Sequence, residues 1–379
     1  MKKQIIFDKV YNGDCFDDIS RKIYYCSDKI TDYSIIYDDN NIKGIDIEVA
    51  DAVSSDELSD IEHNVAYMIN EYVSEKQRKP KIVFQNNVNI SYNNIYEEMI
   101  ASGKIIEMGN GLIAFSGYLL DAFNYIDKLI IQILDKKFQY EHYQYPTLIK
   151  TKTLEQCGYF DSHINQSFFA THLENNLDNY LAFKESYKTN KSDQVLSFCE
   201  STEYSLPPTM CYHTYQQLKD SNILHNMVIT SKGKSFRYES KYAVGLERLF
   251  DFTIREIVFF GEDKFVKDAR EEIIQSISDI IIAHNLNGNI ESANDPFFLD
   301  ENIDEKVMYQ KGMRAKYELR LNVDLNKTIA VGSFNLHNEF FGKKFNIRDG
   351  NGSYIKSSCV GFGLERFAYA FTCQNGVLL

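Results

Sequence analysis

The sequence predicts an α+β fold: a mostly antiparallel sheet flanked by helices, preceded by a small α/β unit. Three observations carry this. Two long segments repeat apolar residues at helical spacing, at 119–134 and 265–280. From about residue 205 the pattern turns β-rich, with strands expected near 235–241, 252–260, 314–323, 327–335 and 355–360. Strands in hairpin order, with helices outside them, suggest a mostly antiparallel sheet.

Residues 1–92 read as the separate small unit, of unassigned role, and 93–379 as the main domain. Short apolar runs at 4–7, 34–37 and 81–84 flank a helix that opens with the capping box Ser54-x-x-Glu57. The polar stretch 85–94, QNNVNISYNN, reads as a boundary.

Composition narrows the class. Of 379 residues, 44% are hydrophobic, enough for a sizeable core. The net charge is −13, which disfavours unspecific adhesion to nucleic acid, since phosphate contacts need Lys and Arg. Seven scattered cysteines do not suggest a secreted disulfide framework. No apolar run has signal-peptide or membrane-span length, so a cytoplasmic protein is expected.

Three segments carry candidate chemistry. In FRYES, Arg237 and Glu239 share one face of a strand. Arg237 offers a fork to a phosphate, and Glu239 an acceptor to an exocyclic amine. An exposed cross-strand ion pair is the plainer alternative. In RLFDFTIREIVFFG, Phe252 and Glu256 share a face about 13 Å apart, the span from an adenine to the far side of an α-phosphate. A carboxylate on that otherwise apolar face needs a base or a metal ion. In CVGFGLERFAYAF, a Gly361-x-Gly363 turn leads into a helix that aims Arg366 at a phosphate.

In this order the segments resemble motifs 2 and 3 of the class II aminoacyl-tRNA synthetases. Pro146, after the long helix, resembles the motif 1 proline at the dimer interface, which implies a homodimer. The resemblance implies ATP as substrate. It puts Arg237 on the α-phosphate, Glu239 and Phe252 on adenine, and Arg248 and Arg366 on the outer phosphates.

A narrower resemblance rests on seven ordered segments: QYPTLIKTKTLEQCGYF, LPPTMCYHTY, FRYE, FTIREIVFFG, ANDPFF, SFNLHNEFFG and CVGFGLERFA. They look like the amino acid:[carrier protein] ligases, relatives of the atypical archaeal-type seryl-tRNA synthetases. The match covers residues from about 95 onward. It implies zinc on Cys211, Glu256 and Cys359, three protein ligands with a fourth position open for the substrate amine. It also implies a small amino acid. Cys157 reads as structural. Asp295, Ser333 and Asn335 are candidate pocket groups. The strand TIAVGSFN lacks the carboxylate that many class II enzymes use for Mg²⁺, and Glu318 in KYELRL is the substitute candidate.

Residues 1–92 lack the heptads of a tRNA-binding coiled-coil arm, and only about eight residues follow motif 3. With the acidic charge, this makes tRNA an unlikely partner and a phosphopantetheinylated carrier protein the expected acceptor. Transfer to tRNA or a small amine, and a non-catalytic paralogue, remain the alternatives.

Overall fold

The computed structural model describes residues 1–74, 80–190, 195–242, 245–293, 298–299 and 315–376. Its centre is an eight-stranded sheet. In spatial order the strands are Ile82–Asn86, Gly288–Ser292, Lys316–Asn322, Thr328–Asn338, Lys356–Gly363, Asp251–Gly261, Met227–Phe236 and Glu141–Tyr143. Every neighbouring pair is antiparallel except the last, where Glu141–Tyr143 runs parallel to Met227–Phe236 at the edge. This is the α+β architecture the sequence predicts. Among the described residues, no helix is long and apolar enough to cross a membrane.

Helices Tyr118–Lys137, Asp263–Ala283 and Leu364–Asn375 cover one face of the sheet. The apolar stripes read from the sequence supply their contacts. Leu119, Ile126, Ile130 and Leu134 pack with Ile273 and Ile277 on Ile257, Phe259, Phe334 and Phe362. Side chains alternate along a strand, so the intervening residues turn to the other face. There Cys211, Tyr215, Val258, Phe260 and Cys359 form a second, smaller cluster.

The strand Asp251–Gly261 is buried along nearly its whole length. It carries one expensive residue on its helix-covered face. Arg255 is 2% exposed and holds Asp127 of helix Tyr118–Lys137 by a two-pronged contact, Nε to Oδ1 at 2.7 Å and Nη2 to Oδ2 at 3.1 Å. Lys232 adds a third bond to Asp127 at 2.9 Å.

Residues 1–74 have their own core. Strands Lys2–Asn12, Ile30–Asp38 and Asn41–Val49 form an antiparallel sheet with the third strand in the middle. Helices Phe16–Ile23 and Ser55–Tyr72 complete this core, which is rich in isoleucine. The capping box at Ser54 forms as the sequence predicts: the Ser54 amide donates to Glu57 Oε2 at 2.9 Å, and the Glu57 amide to Ser54 Oγ at 3.3 Å. Gly44 sits where the middle strand crosses Lys2–Asn12. A Cβ there would lie 2.4 Å from the Ile5 carbonyl oxygen.

Three expectations are corrected. The strand expected at 81–84 forms as Ile82–Asn86, but it hydrogen-bonds to Gly288–Ser292 in the large sheet. The strand expected at 235–241 is Met227–Phe236, and Arg237 and Glu239 lie just beyond its end. Gly361 and Gly363 are not a turn. They lie within strand Lys356–Gly363, and the helix starts directly at Leu364.

The Asp127–Arg255 pair sets a stability expectation. Asp127→Ala should lower unfolding stability by about 3–5 kcal/mol in a urea titration, because it leaves Arg255 buried and unpaired. A loss below about 1 kcal/mol would contradict this. Burial raises the Asp127 carboxyl, but bonds from Arg255 and Lys232 outweigh it and hold the group below the usual aspartate range. Its contribution is therefore full above about pH 4 and lost as pH falls through the folded value.

Candidate functional site

The uncovered face of the sheet carries the polar residues that alternate with the core. Reading across the strands, it presents Lys316, Glu318 and Arg320, then Ser333, Asn335 and His337, then Cys359 and Gly361, then Glu256. They divide into a charged cavity and a buried thiol–carboxylate cluster.

The cavity encloses about 810 Å³. Arg237, Glu239, Arg248, Arg366 and Glu318 line it, so five of the sequence-predicted residues come together. Its walls hold nine lysines and arginines against five aspartates and glutamates. In a chain of net charge −13 that is a local reversal of sign. Some cations are neutralised in place: Arg248 Nη1 donates to Glu239 Oε2 at 2.9 Å, and Lys327 to Glu247 at 2.8 Å. Others are not. Arg366 has one long contact among the described residues, Nη1 to the Ala330 carbonyl at 3.5 Å. Burial pushes its guanidinium down to about 10; Glu239 opposes that, and Arg248 and Arg237 add to it.

Arg237 stands between the two compartments. Its Nε donates to the Pro208 carbonyl at 3.1 Å, and its guanidinium lies 5.4 Å from the centre of the Phe252 ring. It is also near enough to Glu256 to favour that group's ionised form. Phe252 thus stands behind Arg237, with one ring face covered.

Cys211, Glu256 and Cys359 offer ligand atoms all within 4.8 Å of one another, and all three residues are buried. Cys211 opens the helix Cys211–Gln217, while Glu256 and Cys359 lie on adjacent strands. Gly361 makes room for the carboxylate: a Cβ there would lie 3.3 Å from both Glu256 oxygens. Thr209 donates to Glu256 Oε2 at 3.0 Å, and Asn335 Nδ2 to Cys359 Sγ at 3.6 Å. His337 Nε2 is 3.1 Å from the same sulfur.

Without a cation the cluster is poorly compensated. Burial pushes Glu256 up to about 7 despite the bond from Thr209. A hydrogen bond with Cys211, then burial, raises the Cys359 thiol. Two thiols and a carboxylate converging in the interior fit a zinc ion with three protein ligands and one open position. A tetrahedral site separates such donors by about 3.5–4 Å, so little contraction is needed.

Ser333 and Asn335 sit beside this cluster, their side chains linked at 3.2 Å. Asp295 lies outside the described residues. Glu318 is held below the usual carboxylate range: burial raises it, but Lys316, Arg21 and Arg320 outweigh that. It is thus already surrounded by positive charge.

No family model matches the chain. It is 23% identical over 278 residues to the type-2 serine–tRNA ligase of Methanocaldococcus jannaschii, covering 71% of this chain and 53% of that protein. It is 24% identical over 259 residues to the type-2 serine–tRNA ligase of Methanothermobacter thermautotrophicus, covering 66% and 50%. The chain spans about half the length of the curated relatives it matches. Among solved structures, M. kandleri SerRS in complex with A. aeolicus tRNASec superposes with a TM-score of 0.72 at 19% identity, over 92% of this chain and 71% of that one. Seryl-tRNA synthetase from Pyrococcus horikoshii complexed with ATP gives 0.55 at 12% identity, over 76% and 60%.

The chain is class II aminoacyl-tRNA synthetase-like and related to the archaeal-type seryl-tRNA ligases. The relatives named here are tRNA ligases, which runs against the expectation that tRNA is an unlikely partner.

Several residues of this synthetase-like site escaped the sequence reading. Lys316 and Arg320 flank Glu318 at period two, a signal present in KYELR. Thr209 and His337 lie two residues from a cluster member or a candidate pocket residue. Arg21 and Tyr25 gave no signal, because they lie in the N-terminal unit, which the seven ordered segments do not reach.

Arg366 offers a clean separation of stability from function. Arg366→Met should leave the free protein as stable as the wild type, or more stable by up to about 1 kcal/mol in denaturant, because the guanidinium is poorly compensated. A loss of more than about 1 kcal/mol would make the Ala330 contact a structural one.

Proposed function

We propose that the chain activates a small amino acid with ATP to an aminoacyl-adenylate and passes the acyl group to the 3′ end of a tRNA. One observation carries the first step: a cavity whose walls reverse the chain's charge around the motif 2 and motif 3 residues. Such a lining suits a polyphosphate. The similar proteins include a type-2 serine–tRNA ligase and a seryl-tRNA synthetase complexed with ATP, which supports the reading.

In the activation step an oxygen of the amino-acid carboxylate attacks the α-phosphorus. The bond to the bridging oxygen breaks, and pyrophosphate leaves with its electrons. No protein nucleophile is needed; positioning and charge neutralisation suffice. Arg237 takes the α-phosphate, and Arg248 and Arg366 the outer phosphates. Glu239 accepts from the adenine amine, and Phe252 receives the ring once Arg237 leaves its face. Glu318 would be the protein ligand of a Mg²⁺ ion, which when bound supplies further charge neutralisation to the phosphates. Cys211, Glu256 and Cys359 would hold zinc, which when bound supplies an open coordination position that selects a free α-amine. Ser333 and Asn335 border that position.

A second acceptor, the thiol of a phosphopantetheinylated carrier protein, is favoured by one observation: the net charge of −13, which opposes a long anionic partner.

ATP–pyrophosphate exchange over a panel of amino acids tests activation. Exchange with a small amino acid such as serine, glycine or alanine is expected, and none with any amino acid would sink the reading. In Arg237→Ala the exchange rate should fall by about 100-fold or more. Zinc analysis should find about one equivalent in the wild type and almost none in Cys211→Ala; equal metal in both would remove Cys211 from the ligand set. Weighing tRNA and holo-carrier after incubation with ATP and the amino acid separates the acceptors. A mass gain on the carrier alone would overturn the tRNA reading.

A further inference from the structure

The cavity has two owners. One side belongs to the large sheet, the other to residues 1–74, whose separate core carries no recognisable chemistry. The two meet along the loop that follows Met227–Phe236. Tyr25 Oη donates to the Tyr238 carbonyl at 3.0 Å, and Ser240 Oγ to the Tyr24 carbonyl at 3.4 Å. Lys241 Nζ donates to the carbonyls of Asp28 and Ile30. The N-terminal unit is therefore fastened to the stretch between Arg237 and Arg248.

Its helix Phe16–Ile23 ends in two adjacent cations with different fates. Lys22 is buried and paired with Asp18 of the same helix. Arg21 lines the cavity and, among the described residues, makes no hydrogen bond or ion pair. Across the cavity its charge acts on Glu318, which also lies 3.3 Å from Lys316 and 3.7 Å from Arg320. Arg320 also reaches Glu291 at 3.7 Å, so Arg21 is the cation of this group that no ion pair holds among the described residues, and an anion in the cavity would balance it.

We propose that Arg21 binds the outer phosphates of the nucleotide, so that residues 1–74 form part of the ATP site. This rests on the ATP reading above and adds a residue that neither synthetase motif contains. A guanidinium is suited to this role, because its fork matches two phosphate oxygens. The arrangement also gives the N-terminal unit a consequence: nucleotide spans both units and holds them together.

Calorimetric titration of ATP, pyrophosphate and AMP into the whole chain tests the idea, with melting temperature as a control for folding. Arg21→Ala should weaken ATP and pyrophosphate by about 10- to 100-fold, the worth of a charge-assisted bond, and AMP by less than about twofold. Arg21→Lys should recover part of the ATP affinity, since it restores charge without the fork. Unchanged ATP affinity in Arg21→Ala would overturn the proposal. So would equal weakening of ATP and AMP, which would mean that Arg21 acts through the fold. If the wild type binds no ATP, the underlying reading fails. If the wild type binds and Arg21→Ala binds equally, only this proposal fails.

Discussion

The buried contact between Arg255 and Asp127 is the constraint on which the rest of the site depends. A guanidinium taken out of water is tolerated only where its partner geometry is met. The two-pronged bond therefore fixes which face of strand Asp251–Gly261 looks towards helix Tyr118–Lys137. Period-two alternation does the rest. With Arg255 on the helix side, Phe252 and Glu256 must face the opposite side. A one-residue slip would turn Glu256 towards helix Tyr118–Lys137, put Ile257 and Phe259 on the opposite face, and leave the two thiols without their carboxylate. The ion pair thus contributes to register as well as to stability.

The adjacent strands extend the same logic. Register pairs Ser333 with Gly361 and Glu256 with Gly361, bringing three strands to one point. A side chain at 361 would crowd the carboxylate from the middle strand, so glycine there answers to a close neighbour and not to a turn. Chemistry at this site is spread over several strands whose relative positions are fixed by the core behind them. That is why single residues of it mean little on their own.

Much of this was legible in the sequence. The long helices, the β-rich second half and the capping box at Ser54 follow from local periodicity, which acts within a few residues. Arg237, Glu239, Arg248 and Arg366 were legible as an ordered set, and the structure brings them to one cavity. What was not legible is non-local. Strand Ile82–Asn86 reads like its N-terminal neighbours, and only pairing with Gly288–Ser292 assigns it to the large sheet. The middle strand Asn41–Val49 went unread beside its hairpin partner, although Ile45, Ile47 and Val49 alternate. The covering of Phe252 by Arg237 depends on side-chain packing, and the contribution of Arg21 on how two separately cored units meet.

The electrostatics join the two compartments. Arg237 is within reach of Glu256 on one side and lines the cavity on the other, so both compartments draw on one guanidinium. In the free protein it stabilises a buried carboxylate that burial has pushed up to about 7. A metal ion on that carboxylate would take over the compensation, leaving Arg237 with less to neutralise. An arginine relieved in this way is a better ligand for a phosphate. On the proposed reading, a cation held by Cys211, Glu256 and Cys359 would prepare the group that takes the α-phosphate. The cavity is then a locally positive region in a chain of net charge −13, which favours an anion there.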